Sequence, residues 1–104
     1  MRDKIIDTLL KLKVPCKTVG FDNAVVAIEC LISVKSQTDM CSVYNFIASN
    51  TGRSSDAVVK SIRRAFSKIN TESDFYKRHF DKLRKDSSIL LFIIAEKIRK
   101  GGME

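Results

Sequence analysis

The residues best suited to chemistry lie between positions 53 and 68. Arg53, Lys60, Arg63, Arg64 and Lys68 put five cations there, opposed only by Asp56. At about 100° per residue, a helix over this stretch sets Val58, Ile62, Ala65, Phe66 and Ile69 on one face. Asp56, Val59, Lys60, Arg63 and Arg64 then fall on the other. Ser54, Ser55 and Asp56 supply short polar groups at its start. A helix that enters the major groove of DNA needs those components: small polar groups at its N-terminus, cations for phosphate oxygens along its flanks, and a few groups that reach base edges. Val59 is an apolar group among polar ones, of a size to pack against a thymine methyl. Arg53, Ser54, Ser55, Asp56, Val59, Lys60, Arg63 and Arg64 are therefore the candidate DNA-contacting set. The competing reading is a solvated basic face with one exposed valine, which is common on protein surfaces.

Other chemistries lack their parts. Cys16, Cys30 and Cys41 are widely spaced with no CxxC pair, and His79 is the only histidine, so no metal-ligand pattern emerges. No nucleophile has an evident base to activate it, and no pair of carboxylates shares a face, so the chain does not read as an enzyme. Gly52-Arg53-Ser54-Ser55 has too few glycines for a phosphate loop, and its lysine comes too late. No cofactor is implied.

The elements that must position the basic helix follow from composition and periodicity. The 104 residues are 44% hydrophobic and 30% charged, a globular balance that fits one domain over residues 1–104. The net charge of +7 points to an anionic partner. It is unevenly spread, with +1 in residues 1–52 and +6 in residues 53–104. A second basic block, residues 77–85, holds five cations against Asp81. The longest apolar run, residues 89–95, is far short of the ~20 residues that span a bilayer. With the odd cysteine number and no secretory leader, a reduced, cytoplasmic protein without membrane association or a small-molecule substrate is expected.

Helical spacing dominates. Ile5, Ile6, Leu9, Leu10 and Leu12 predict a first helix, ended by Val14-Pro15. After Gly20, the residues Phe21, Ala24, Val25, Ile28, Leu31 and Ile32 predict a broad-faced and hence central second helix, capped near Asp22. Met40, Val43, Tyr44, Ile47 and Ala48 predict a third, stopped at Gly52, whose freedom at positive φ suits a sharp exit. Ser54 is the expected cap of the fourth. Phe75, Tyr76, Phe80 and Leu83 suit a short helix with loops. Leu90, Leu91, Ile94, Ala95 and Ile98 form a last helix, capped by Ser87 or Ser88; residues 89–94 alone would also suit a strand. The fold class expected is all-α, with five to six helices around a central helix-turn-helix at about 41–69 whose recognition helix covers about 54–69. Ala48 is small where the two helices meet and Gly52 lies in the turn, although Thr51 and Arg53 stand where this motif often has apolar residues.

These residues carry a family resemblance over nearly the whole chain. Val14-Pro15, Gly20-Phe21 and Ala27-Ile28, then Tyr44, Ile47-Ala48, Val58, Ile62-Arg63 and Ala65, and finally Ser88, Ala95, Lys97, Ile98 and Arg99 resemble the C-terminal DNA-binding effector domain of the stage 0 sporulation protein A family. The link between the second and third helices is slightly shorter than is usual there, and residues 70–86 match poorly. The resemblance implies a transcriptional regulator with about six helices that binds double-stranded DNA, typically as two copies on tandem sites, and so a homodimer on DNA.

The departures from that pattern matter as much. The family commonly has Arg, Glu and Arg where Ala57, Val59 and Lys60 stand, whereas Arg63 matches. Two hydrogen-bonding readers are thus replaced, and a bidentate base contact gives ~1–3 kcal/mol of discrimination. The expected fold and DNA contact therefore carry over better than the sequence preference. The 104 residues also leave no room for the receiver domain of a full regulator, so the expectation is either an excised effector domain or a free-standing relative, the latter favoured by the helix directly after Met1. The alternative is a protein-interaction module that keeps the effector fold, anchored by Phe75, Phe80 or Phe92.

Overall fold

The computed structural model describes residues 2–33, 39–69, 72–80 and 86–101. Every regular element among them is helical: α1 (Arg2–Lys11), α2 (Val19–Ser33), α3 (Met40–Thr51), α4 (Ser55–Phe66), α5 (Asp74–Phe80) and α6 (Ser87–Arg99). The all-α expectation holds with six helices.

α2 is the central element and packs against α1, α3, α4 and α6. Its sequence explains why: Phe21, Ala24, Val25, Ala27, Ile28 and Leu31 are all buried, and a helix apolar over most of its circumference belongs in the interior. Gly20, expected to precede this helix, is its second residue and is buried. There α2 lies directly against α4. A methyl group on Gly20 would run into the Ser61 carbonyl oxygen and come within 2.7 Å of Ala65 Cβ. Three residues on, the buried Asn23 donates from Nδ2 to Ser61 Oγ at 2.9 Å, and Ser61 donates to the Val58 carbonyl at 2.7 Å.

Several helix ends differ from the expectation. The proline does not end α1. Lys13 takes φ 67°, its N–H bonds to the Leu10 carbonyl at 3.0 Å, and the Val14 N–H bonds to the Leu9 carbonyl at 3.1 Å. That pair of bonds closes the helix with a left-handed residue before Pro15 is reached. Leu10 is 44% exposed, because it points away from the face that buries Ile5, Leu9 and Leu12. Thr18, not Asp22, caps α2 by accepting the Phe21 N–H at 3.1 Å; Asp22 sits one turn too late. Asp39 caps α3 by accepting the Ser42 N–H at 2.8 Å, which holds its carboxyl below the ordinary range. The contribution of this cap is present at neutral pH and is lost as pH falls through that lowered value.

α6 is capped by Asp86, which accepts from Ser88 and Ile89 N–H at 2.9 and 3.2 Å, rather than by either serine. Ser88 instead shares a 2.9 Å hydrogen bond with the Tyr44 hydroxyl of α3. The buried set Leu90, Leu91, Ile94, Ala95 and Ile98 decides for helix over strand at residues 89–94. At its far end Arg99 donates to the Leu31 carbonyl of α2 at 2.7 Å, satisfying one of the carbonyls that a helix C-terminus leaves open. In α5, Tyr76 and Phe80 are core residues and Phe75 is half-buried against the core, so of the three proposed interface anchors Phe80 belongs to the interior and Phe75 lies at its edge. Leu83 lies outside the described residues.

Gly20→Ala tests the α2–α4 contact. Helix propensity alone favours alanine by about 1 kcal/mol, but the new methyl meets a backbone carbonyl that no rotamer change can move. A net loss of about 2 kcal/mol is expected in denaturant unfolding. An unchanged or raised stability would show that the two helices do not approach this closely.

Candidate nucleic-acid interface

The α3-turn-α4 unit is built from local signals that the sequence displays. Thr51 ends α3 with its hydroxyl donating to the Ile47 carbonyl at 2.8 Å, and Gly52 turns the chain at φ 71°. Ser54 then caps α4, its Oγ accepting the Ala57 N–H at 3.1 Å with an extended backbone, as expected. Val43 and Ile47 of α3 and Val58 and Ile62 of α4 join one core, so the two helices pack against each other across a turn of residues 52–54. Ala48 lies half-buried beside them.

α4 is held on its inner side by Val58, Ile62, Ala65 and Phe66, all buried, and by the Ser61–Asn23 bond. Its outer side carries the charges. Arg53, Lys60, Arg63, Arg64 and Lys68 are all exposed, with Asp56 exposed in the first turn. The ion pairs among the described residues lie elsewhere: Arg2–Glu29 between α1 and α2, Lys11–Asp7, Lys77–Glu72, and Arg99 and Lys100 on Glu96. None of the five cations around α4 forms one. These charges are thus left in solvent without a carboxylate partner among the described residues, three of them on the outward side of α4 and Arg53 and Lys68 just beyond its two ends. Such an arrangement attracts an anion of extended shape.

The candidate residues do not all share this outer face. Arg53 and Ser54 are exposed in the turn, and Lys60, Arg63 and Arg64 with Asp56 form the exposed stripe, but Ser55 is half-buried. Val59 is a correction. It was expected among the solvent-facing residues, yet it is half-buried and packs against the core. The reason is angular: at about 100° per residue Val59 falls between buried Phe66 and exposed Arg63, on the border of the two faces. The helix is also shorter than the expected 54–69. It ends at Phe66, where the Ser67 N–H reaches back to the Arg63 and Ala65 carbonyls and the Lys68 and Ile69 N–H groups bond three residues back. Of the second basic block, residues 77–85, Lys77 and Arg78 are exposed on α5, and residues 81–85 lie outside the described residues.

Two residues that fix the helix were not singled out in the sequence. Asn23 stands among Phe21, Ala24 and Val25, and a polar residue in so apolar a stretch is the signal that would have marked it as a buried hydrogen-bond donor. Ser61 falls at the edge of the buried face of α4 and reads as ordinary until its partner is known. Cys16 and Cys41 are exposed and Cys30 is half-buried, all three as free thiols, and burial pushes the Cys30 thiol up. Among the described residues no three His, Cys, Asp or Glu side chains gather as metal ligands, and no helix is long and apolar enough to cross a membrane. Comparison with protein-family models, with curated proteins and with solved structures found no match.

The placement of Val59 can be checked directly. Val59→Ala should cost about 0.5–1.5 kcal/mol of stability in thermal or denaturant unfolding, as expected for trimming a half-buried apolar side chain. A stability equal to the parent would return Val59 to the exposed face.

Proposed function

We propose that this protein is a DNA-binding transcriptional regulator of the sporulation-initiation effector type, with α3 and α4 acting as a helix-turn-helix and α4 as the recognition helix in the major groove. The observation that carries this reading is the set of five exposed cations, Arg53, Lys60, Arg63, Arg64 and Lys68, none of which is paired with a carboxylate among the described residues. Arg53, Arg63 and Arg64 grip phosphates, and the N-terminal turn with Ser54, Ser55 and Asp56 faces the base edges. Lys60 reaches the backbone from the same stripe. Val59 offers only part of its side chain to a thymine methyl, so base readout rests mainly on the polar groups. A pair of chains on tandem half-sites, in a cytoplasmic setting, completes the reading.

A second reading has its own observation. Phe46 of α3 is 52% exposed beside a groove of about 500 Å³ between α2 and α3 that Val26 and Val43 help line. Phe92 of α6, 44% exposed, is a further apolar group on the surface. A protein-interaction module would dock through such residues rather than through α4.

Charge reversal separates the two. Arg63→Glu combined with Arg64→Glu should reduce duplex affinity at least 100-fold in moderate salt, because two phosphate contacts become repulsions, while the thermal midpoint moves little. Duplex binding that survives this double substitution would sink the DNA reading.

A further inference from the structure

The basic face of α4 ends beside a pocket that the DNA reading does not use. It lies between the Pro15–Gly20 stretch that leads into the first turn of α2 and the C-terminal end of α4, and has a volume of about 390 Å³. Pro15, Val19 and Ala65 make its wall mostly apolar, and Arg64 and Lys68 bring two cations to it. No carboxylate is among its described lining residues, and neither cation has an ion-pair partner among the described residues. The hydroxyls of Thr18 and Ser61, which also line it, are occupied within the fold by Pro15, Phe21, Asn23 and Val58. The pocket is therefore electrically one-sided: an apolar interior with two unneutralised cations at its margin.

We infer that this pocket binds a small amphipathic anion, a medium-chain carboxylate, with its hydrocarbon body against Pro15, Val19 and Ala65 and its carboxylate at Arg64 and Lys68. The volume sits at the low end of small-molecule sites, which suits a short chain and excludes a bulky lipid. Charge complementarity selects the head group. An uncharged alcohol of the same length fills the apolar part but leaves both cations as they were, and an inorganic anion meets the cations without using the wall. Arg64 is also among the residues assigned above to phosphates, so a bound carboxylate competes with the duplex for it. That consequence rests on the DNA reading, whereas the pocket itself does not.

The test is made without DNA, so that its failure is distinct from a failure of duplex binding. Sodium decanoate, kept below the concentration at which it forms micelles, is titrated into isotope-labelled protein and followed by amide NMR. Saturable shifts are expected at residues 18–20, 61, 64, 65 and 68. Decanol should bind about threefold or more weakly, and so should decanoate to the Arg64→Gln, Lys68→Gln protein, since exposed charge pairs are individually modest. Val19→Trp, at a position 44% exposed and thus tolerant of a larger side chain, should fill the pocket and abolish the shifts. Equal affinity for decanol, undiminished binding to the tryptophan variant, or shifts centred on Phe46 and Phe92 instead would each overturn the inference.

Discussion

The close approach of α2 to α4 is the constraint on which the rest of the structure depends. At Gly20 the two backbones meet with no side chain between them, and three residues later Asn23 spans the same interface to Ser61. A buried amide that lost this partner would cost about 1–3 kcal/mol, so the bond also fixes the rotation of α4 about its own axis. With that rotation set, Val58, Ile62, Ala65 and Phe66 must point inward and Asp56, Lys60, Arg63 and Arg64 must point out. The outer face is thus a consequence of the inner one.

That outer face is cheap for the fold to maintain. Two unit charges about 10 Å apart in water repel by only ~0.4 kcal/mol, and physiological salt reduces this further. Burying one large aliphatic or aromatic side chain contributes about 1.5–3 kcal/mol. Three such inward residues on α4, Val58, Ile62 and Phe66, therefore outweigh the mutual repulsion of the cations beside them. The fold can keep around one helix five cations that have no ion-pair partner among the described residues, and those charges remain available to an outside anion. Elsewhere, Arg2, Lys11, Lys77, Arg99 and Lys100 are each paired with a carboxylate.

Much of this was legible in the sequence because helices announce themselves by period and by caps. The inward faces of α2, α4 and α6, the left-handed Gly52 and the Ser54 cap follow from local rules that need no tertiary information. What escaped depends on tertiary contact or on competition between neighbouring signals. Gly20 reads as a breaker in the chain, and only the neighbouring helix shows that its missing side chain is a packing requirement. Asp86 and the serines after it are all good caps, and Tyr44 draws one serine hydroxyl away. Val59 sits on the border between two faces, where a single heptad-scale count cannot decide burial. Lys13 adopts a positive φ that its residue type disfavours, because Leu9 and Val14 are both buried on either side of the turn.

The central claim is that the exposed cations around α4 serve to grip a polyanion, and the salt dependence of duplex binding measures that grip most directly. Each neutralised phosphate lowers the logarithm of the association constant by about 0.9 per logarithm of salt concentration. If Arg53, Lys60, Arg63, Arg64 and Lys68 each meet one phosphate, the slope should be near −4.5, and a partial set should still give about −3. A slope near zero, or no duplex binding at low salt, would contradict the account and leave the basic face of α4 as solvated surface.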